Sequence, residues 1–273
     1  LRNSTSISFV PVTVRHNPRI PQLLHRQFSR IGRDFRRVQP AISIKVALIA
    51  PPRFKNQEHS QRCRSFLFTV CGGVAAQVIG DGVVELYESG VGAINLPLQQ
   101  GAGSRATRGC HPRVLAQVEE LFLKVTGRSV VFQLPFLFKT KAEVVGTLNR
   151  NGLADLVALT LSCVHHRLED KHRQCGCCPA CLLRRQAIHS SGIEEAPNSY
   201  KYDLFGNAKV VNKVPEGNLR YLKQVLWQVA NYQSASAQDF FVRHLRQAGI
   251  GDVKKSMDLY ARYRNEWIVI VAQ

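Results

Sequence analysis

Acidic residues are scarce at the start of this chain. Residues 1–64 hold 13 Lys and Arg against Asp34 and Glu58 alone. Over all 273 residues, 19 acidic side chains face 37 Lys and Arg, a formal net charge of +18. That surplus suits a phosphate-bearing partner, either a nucleotide or a nucleic acid contacted through the basic N-terminal region. A solvated face that only keeps the protein soluble has the same composition, and charge alone leaves both open. No apolar run reaches the ~18 residues of a membrane span, and no secretory signal is present. A cytoplasmic location without a membrane partner is therefore expected. Repeats and low-complexity segments are missing, which leaves one large domain or one domain with an appendage. Methionine is nearly absent: residue 1 is Leu and Met257 stands alone. The chain is expected to be a fragment lacking its true N-terminus.

At 45% hydrophobic the chain can bury a full core. Strand and helix signals alternate through residues 8–150. Strands are expected at Ser8–Arg15, Ile42–Ile49, Val83–Tyr87 (short and buried) and Val130–Leu134. Pro21 opens a helix with Leu24, Phe28, Ile31 and Phe35 on one face; Arg26, Arg30, Arg33 and Arg37 line the other. Glu58–Ile79 reads as a mostly apolar helix, and Gly90–Pro97 as a continuation into a loop. A helix after Pro112 carries Val114, Leu115, Val118, Leu121, Phe122 and Val125 as its buried stripe and ends at Gly127. Thr140-x-x-Glu143 is a capping box. Alternation of this kind gives a parallel sheet covered by helices, with ligands outside the carboxyl ends of the strands. His16, residues 88–95 and residues 135–141 fall there. Residues 189–199 read as a polar linker. Two helices, Pro215–Tyr232 and Ser236–Ala248, and an apolar docked end at Glu266–Ala272 follow.

Five of eight cysteines lie within residues 163–181. Cys175, Cys178 and Cys181 repeat at C-x2-C-x2-C, and Cys163 supplies a fourth thiol. Four thiolates make a closed tetrahedral zinc site, structural because no position is left for water. A disulfide cluster needs an oxidising compartment, for which there is no signal. An iron–sulfur motif would continue C-x3-C-P, whereas Cys181 is followed by Leu-Leu-Arg-Arg. Cys177 stays outside the ligand set.

Several segments, in order over residues 9–205, resemble QueC, the 7-cyano-7-deazaguanine synthase family, and more closely the QueC-like branch of the bacterial Qat anti-phage systems. They are Gln61-Arg62-Cys63-Arg64-Ser65-Phe66-Leu67-Phe68, Glu88-Ser89-Gly90-Val91 with Ile94-Asn95-Leu96-Pro97, Ser104-Arg105-Ala106-Thr107-Arg108 with His111-Pro112, Pro135-Phe136 with Thr140-Lys141-Ala142-Glu143-Val144, and Ser162-Cys163 with the run Cys175–Arg185. The resemblance implies an α/β fold, a Rossmann-like PP-loop ATPase over residues 1–162, a zinc segment at 163–188 and a mainly helical extension at 200–273. It implies a ligase that uses ATP and Mg2+ to adenylate the carboxylate of 7-carboxy-7-deazaguanine, then ammonia to form the amide and the nitrile. Lys141 and Arg64 become candidate catalytic cations. Arg62, Ser65, Glu88, Gly90, Asn95 and Arg105 become candidate ATP or substrate contacts, and Cys163, Cys175, Cys178 and Cys181 the zinc ligands. Glu143 is accounted for by its cap, and His111, His165 and His166 as structural or solvent-facing.

The family's pyrophosphate loop, Ser-Gly-Gly-x-Asp-Ser, is absent. Cys71-Gly72-Gly73 is not a substitute, because it lies mid-helix with no Asp-Ser after it. Ser89 stands where the branch usually has Asn, and Leu134 where Asn usually precedes Pro-Phe. Residues 1–273 alone are expected not to turn over ATP. Besides the ligase, two readings stay open. One is a non-catalytic QueC-like subunit bound to other defence-system proteins. The other is a zinc-bearing nucleic-acid binder using the arginine stripe. A homodimer is also left open.

Overall fold

The computed structural model describes residues 9–15, 20–34, 39–46, 64–80, 82–96, 109–164, 174–205, 214 and 216–272. The chain divides into two compact units. The first comprises Leu1–Leu86 and Thr107–Pro135, the second Tyr87–Ala106 and Phe136–Gln273.

In the first unit, β1 (Val12–Arg15), α1 (Ile20–Asp34) and β2 (Ile42–Lys45) form a parallel pair with its crossover helix. Val12 stands opposite Ile42 and Arg15 opposite Lys45. On α1, Leu24, Phe28 and Ile31 are half-buried and Arg26 is exposed, as the spacing predicts. Next come α2 (Arg64–Ile79), β3 (Val83–Glu85), α4 (Pro112–Thr126) and β4 (Val131–Gln133), with the helix between β3 and α4 belonging to the second unit. β3 pairs parallel with β4, Val84 opposite Phe132. The strands thus lie in two separate two-stranded parallel sheets among the described residues.

Side chains place α2 and α4 on β3 and β4. Leu115, Val118, Phe122, Val130 and Phe132 form the core, joined by Val70, Val84, Leu86 and Leu134. Gly73 lets the helices touch: a Cβ there would lie 2.4 Å from the Phe122 ring. Cys71-Gly72-Gly73 is therefore a packing seam in mid-helix. The expected buried stripe of α4 is narrower than its apolar pattern, since Leu121 and Val125 are exposed. The strand at 83 is not buried either: Val83 and its partner Val131 are both exposed. Pleating sends only Val84 and Phe132 toward the helices.

The second unit is helical: α3 (Gly90–Ile94), α5 (Lys141–Arg150), α6 (Asp155–Ala158), α7 (Pro179–Ser190), α8 (Glu216–Asn231), α9 (Ala235–Gln247) and α10 (Val253–Val271). Three expectations change here. The segment from Gly90 is a short helix rather than a loop, because Ala93, Ile94 and Leu96 are buried. The apolar end at 266–272 is the last part of a 19-residue helix that Asp252 caps. Ser256, Leu259, Tyr260, Tyr263 and Trp267 repeat at helical spacing and are buried. Leu259, Tyr260, Tyr263 and Trp267 meet Phe241, Leu245, Val225, Val229 and Leu182 in the main core. The polar linker expected at 189–199 begins inside α7, which runs to Ser190, and its later part is tied back: Glu195 and Tyr200 return to Arg184 on α7. No described helix is long and apolar enough to cross a membrane.

Candidate metal centre and active site

Gln174 and Tyr200 form a parallel bridge, and Tyr202 N–H donates to Cys175 O at 3.1 Å. The Gln174 side chain accepts from Ser162 N at 2.9 Å and Cys163 N at 3.2 Å, tying the upstream thiol to the downstream run. Gly176 turns with φ +83°, and a Cβ there would lie 2.1 Å from Tyr202 O, so only glycine fits. Pro179 then opens α7 with Cys178 as its N-cap.

These constraints bring Cys163, Cys175, Cys178 and Cys181 together, their sulfurs all within 4.8 Å of one another. Sulfurs bound to one zinc at ~2.3 Å stand ~3.8 Å apart, and Cys175 Sγ lies 3.8 Å from Cys181 Sγ. Backbone N–H groups already serve the sulfurs: Cys175 N donates to Cys163 Sγ, Cys178 N to Cys175 Sγ and Cys181 N to Cys178 Sγ. Their hydrogen bonds with Cys163 pull Cys175 well below the ordinary thiol range and Cys178 down to about 6. Cys163 is pushed up by its bond with Cys175, and Cys181 by its bond with Cys163. Four crowded thiols cannot all ionise without a counter-charge, and a divalent cation supplies it. The residues fit zinc. Cys177 is buried 3.8 Å from Cys175 Sγ but lies outside the four-way group.

The Leu-Leu-Arg-Arg run after the cluster is structural. Arg184 donates to Tyr200 Oη, Thr160 Oγ1 and Val157 O. Arg185 is sandwiched between the rings of Tyr200 and Phe205 and paired with Asp203.

A second constellation lies where α3 meets the start of α5. Glu88 Oε1 accepts from Ser89 N at 3.0 Å, Ser89 Oγ at 3.3 Å and Lys141 Nζ at 3.3 Å. A Cβ on Gly92 would lie 2.5 Å from the same oxygen. Gly90 N donates to Lys139 O at 2.9 Å, and a Cβ on Gly90 would clash with Leu137 O at 1.9 Å. Asn95 ends α3 in the left-handed region, φ 45°. The expected capping box is present in both directions, Thr140 N to Glu143 Oε2 and Glu143 N to Thr140 Oγ1. The structure thus joins Glu88, Gly90 and Lys141 into one turn cluster, with a cation and a carboxylate both about one-third exposed.

In the first unit, Arg64 opens α2 and is exposed. Ser65 receives the 109 turn: a Cβ on Gly109 would lie 1.9 Å from Ser65 Cβ. That contact brings the end of the Gly- and Arg-rich loop to the start of α2. His111 is structural, its Nδ1 accepting from Arg113 N as the N-cap of α4. Arg62, Arg105, His16, His165 and His166 lie outside the described residues, as does Arg37 of the arginine stripe. A cavity in the helical core, lined by Gln228, Tyr232, Tyr260, Tyr263 and Arg264, holds about 10 Å³. That is room for one water at most, so it is no nucleotide site.

Sequence reasoning missed Arg262 and Glu266. Arg262 Nε donates to Glu143 Oε1 at 2.7 Å and its Nη2 to Phe138 O at 2.8 Å. Glu266 accepts from Thr140 Oγ1 and, at 2.6 Å, from Gln186 Nε2. The helical period of Leu259, Tyr263 and Trp267 was the available signal for this helix; nothing in it marks the two charges as partners of Thr140 and Glu143.

The architecture is mixed α/β with small parallel sheets and a four-cysteine cluster able to hold zinc. Residues 108–192 match the family described as Queuosine biosynthesis protein QueC. The chain is 34% identical over 76 residues to the 7-cyano-7-deazaguanine synthase of Methylobacillus flagellatus, which is 28% of this chain and 31% of that protein. It is 29% identical over 97 residues to the 7-cyano-7-deazaguanine synthase of Ralstonia nicotianae, 34% of this chain and 41% of that protein. The chain thus matches less than half the length of these relatives. The similarity to the QueC family is distant and regional, and that family implies a PP-loop ATPase fold.

Proposed function

We propose that this chain is the zinc-bearing part of a QueC-like ATP-dependent carbon–nitrogen ligase. One observation carries the reading: the stretch matching QueC, residues 108–192, folds four of its six cysteines into a single four-sulfur cluster. The site is structural in this reading, clipping residues 163 and 174–181 into one body.

The chemistry assigned is the one that the resemblance to 7-cyano-7-deazaguanine synthases implies. A carboxylate oxygen, in 7-carboxy-7-deazaguanine on this reading, attacks the α-phosphorus of ATP and pyrophosphate leaves. Ammonia then attacks the acyl carbon and AMP leaves, giving the amide; a second activation dehydrates it to the nitrile. Lys141, Arg64, Arg62 and Arg105 are the cations assigned to developing phosphate charge, which Mg2+ would help to neutralise. Glu88 is assigned to an amidine-type edge of the base: its Oε1 is engaged and no hydrogen bond to its Oε2 is found among the described residues. Gly90 and Asn95, at the two ends of α3, and Ser65, on α2, are assigned ATP or substrate contacts.

A second reading accounts equally for residues 1–273, which contain no Ser-Gly-Gly-x-Asp-Ser. Backbone N–H groups of such a loop, fixed at a helix N-terminus, cradle phosphate in a way that arginine side chains do not reproduce. A QueC-like subunit of a Qat-type defence complex, with another substrate or without catalysis, would need no such loop. Pyrophosphate release with ATP, Mg2+, ammonia and 7-carboxy-7-deazaguanine separates the two. The ligase reading expects none from residues 1–273 alone, and release once a strand–loop–helix unit bearing the motif is joined upstream. Silence from that loop-bearing version, with its zinc in place, favours the subunit.

A further inference from the structure

We propose that α10 is the positioning element of the ligand turns: Arg262 and Glu266, one helical turn apart, grip the residues on both sides of Lys141 and hold its amine toward Glu88. The inference rests on reading Lys141 and Glu88 as the working pair. It adds a role for a helix that lies wholly beyond the residues matching QueC.

Lys141 is the first residue of α5, so its direction is set by the turn before it. Arg262 spans that turn, bonding Phe138 O with one nitrogen and the Glu143 carboxylate with another. Glu143 in turn holds Thr140 N through its other oxygen. Thr140 is fully buried, and its hydroxyl both caps α5 and donates to Glu266. Residues 138, 140 and 143 are therefore all tied to α10, directly or through one carboxylate.

The same helix supports the Glu88 side. Leu259 lies under Gly90, where a Cβ would meet its Cδ2 at 2.6 Å. Tyr260 Oη accepts from Leu96 N at 3.1 Å, at the far end of α3. Glu266 also accepts from Gln186 on α7, the helix that Cys178 caps. A single rigid helix thus fixes the two turns that carry Lys141 and Glu88, and links them to the cysteine segment. Arg262 touches neither reacting partner, so its role is positioning.

Hydrogen exchange and amine labelling of residues 1–273 test this without substrate. Arg262→Ala is expected to speed exchange at Thr140 N–H a few-fold, because it frees the Glu143 carboxylate that accepts from it and the lost pair is partly exposed. Labelling of Lys141 by acetic anhydride, normalised to Lys254, should rise severalfold. Exchange at Cys178 and Cys181 and the zinc content should not change. Arg262→Lys keeps the charge but lacks the planar fork, and should fall between; it also serves if Arg262→Ala does not fold. Val269→Ala, on the exposed side of α10, should match the unmodified protein. Unchanged Lys141 labelling overturns the proposal, as does a uniform rise in exchange that includes the cysteine segment. These readouts are independent of turnover. A loop-bearing version that releases no pyrophosphate sinks the ligase reading and leaves the positioning result standing.

Discussion

Lys141 Nζ stands 3.3 Å from Glu88 Oε1, an ion pair closed across 53 residues. Its side chains are 30% and 36% exposed, so the pair contributes ~1 kcal/mol or less to stability. Lys141→Ala in the loop-bearing version is expected to lower ATP-dependent turnover while the thermal midpoint moves by only a few degrees. Arg64→Ala, at the exposed start of α2, should behave alike. Parallel loss of midpoint and turnover would return both residues to structural roles.

Metal content is the most direct check. Purified protein should hold about one zinc per chain and be colourless. Cys163→Ser and Cys178→Ser should each lose the metal and much of the stability, because binding energy is also folding energy. Cys177→Ser should retain zinc, since that sulfur lies outside the cluster. Elemental analysis with thermal melts in the presence and absence of chelator reads all three, and visible absorbance would move the assignment to iron–sulfur.

Gly176 is the backbone position on which the cluster depends. Its φ of +83° and the 2.1 Å approach of Tyr202 O leave no place for a Cβ. Gly176→Ala must shift backbone rather than a side chain, at a cost on the order of 1–3 kcal/mol. Zinc competition against a chromophoric chelator should show a weaker site, and undiminished affinity would contradict the geometry.

Gly73→Ala tests the α2–α4 seam. The added methyl meets the Phe122 ring, so the ring must move and overpacking costs about 1–3 kcal/mol. Pairing it with Phe122→Leu should recover part of the loss in urea melts; strict additivity would mean the two do not touch.

Glu266 should make stability fall as pH rises. Burial pushes its carboxyl above the ordinary range, against the bonds from Thr140 and Gln186 that pull it down. The folded state then holds the proton more tightly than the unfolded chain. Stability from this group is fully present below the unfolded carboxylate pKa of ~4.3 and declines as pH climbs through the higher folded value. Thiolate–metal bonding has the opposite slope, so the test compares the protein with Glu266→Gln. The difference in their melting profiles should carry the Glu266 slope, and parallel profiles would remove the claim.

Local chemistry was legible from the residues. Thr140-x-x-Glu143 predicts its capping box because both partners lie within one turn. The C-x2-C-x2-C spacing predicts convergence because consecutive turns return their sulfurs to one point. Gly127 ends α4 in the left-handed conformation for a reason visible in the residue itself. Elements with strong periodicity, such as α1 and the helices at 216–231 and 235–247, are found close to where that periodicity puts them.

What depended on distant partners was not legible. Leu121 and Val125 belong to the apolar pattern of α4, yet they are exposed, because burial is set by which faces β4 and α2 cover. Arg184 and Arg185 read as two basic residues after a cysteine motif; Tyr200, Glu195 and Phe205, brought back by a turn, make them buried supports. Arg262 and Glu266 look like ordinary charges on a terminal helix. Their contacts with Thr140 and Glu143 span more than a hundred residues, a separation that only the packing of α10 against the rest of its unit closes. The sequence by itself determined the four-cysteine cluster and the Thr140–Glu143 cap, since those rest on short-range stereochemistry. The tertiary structure decided which charges meet Lys141, since a hydrogen bond between remote residues exists only once the core has placed their backbones within reach.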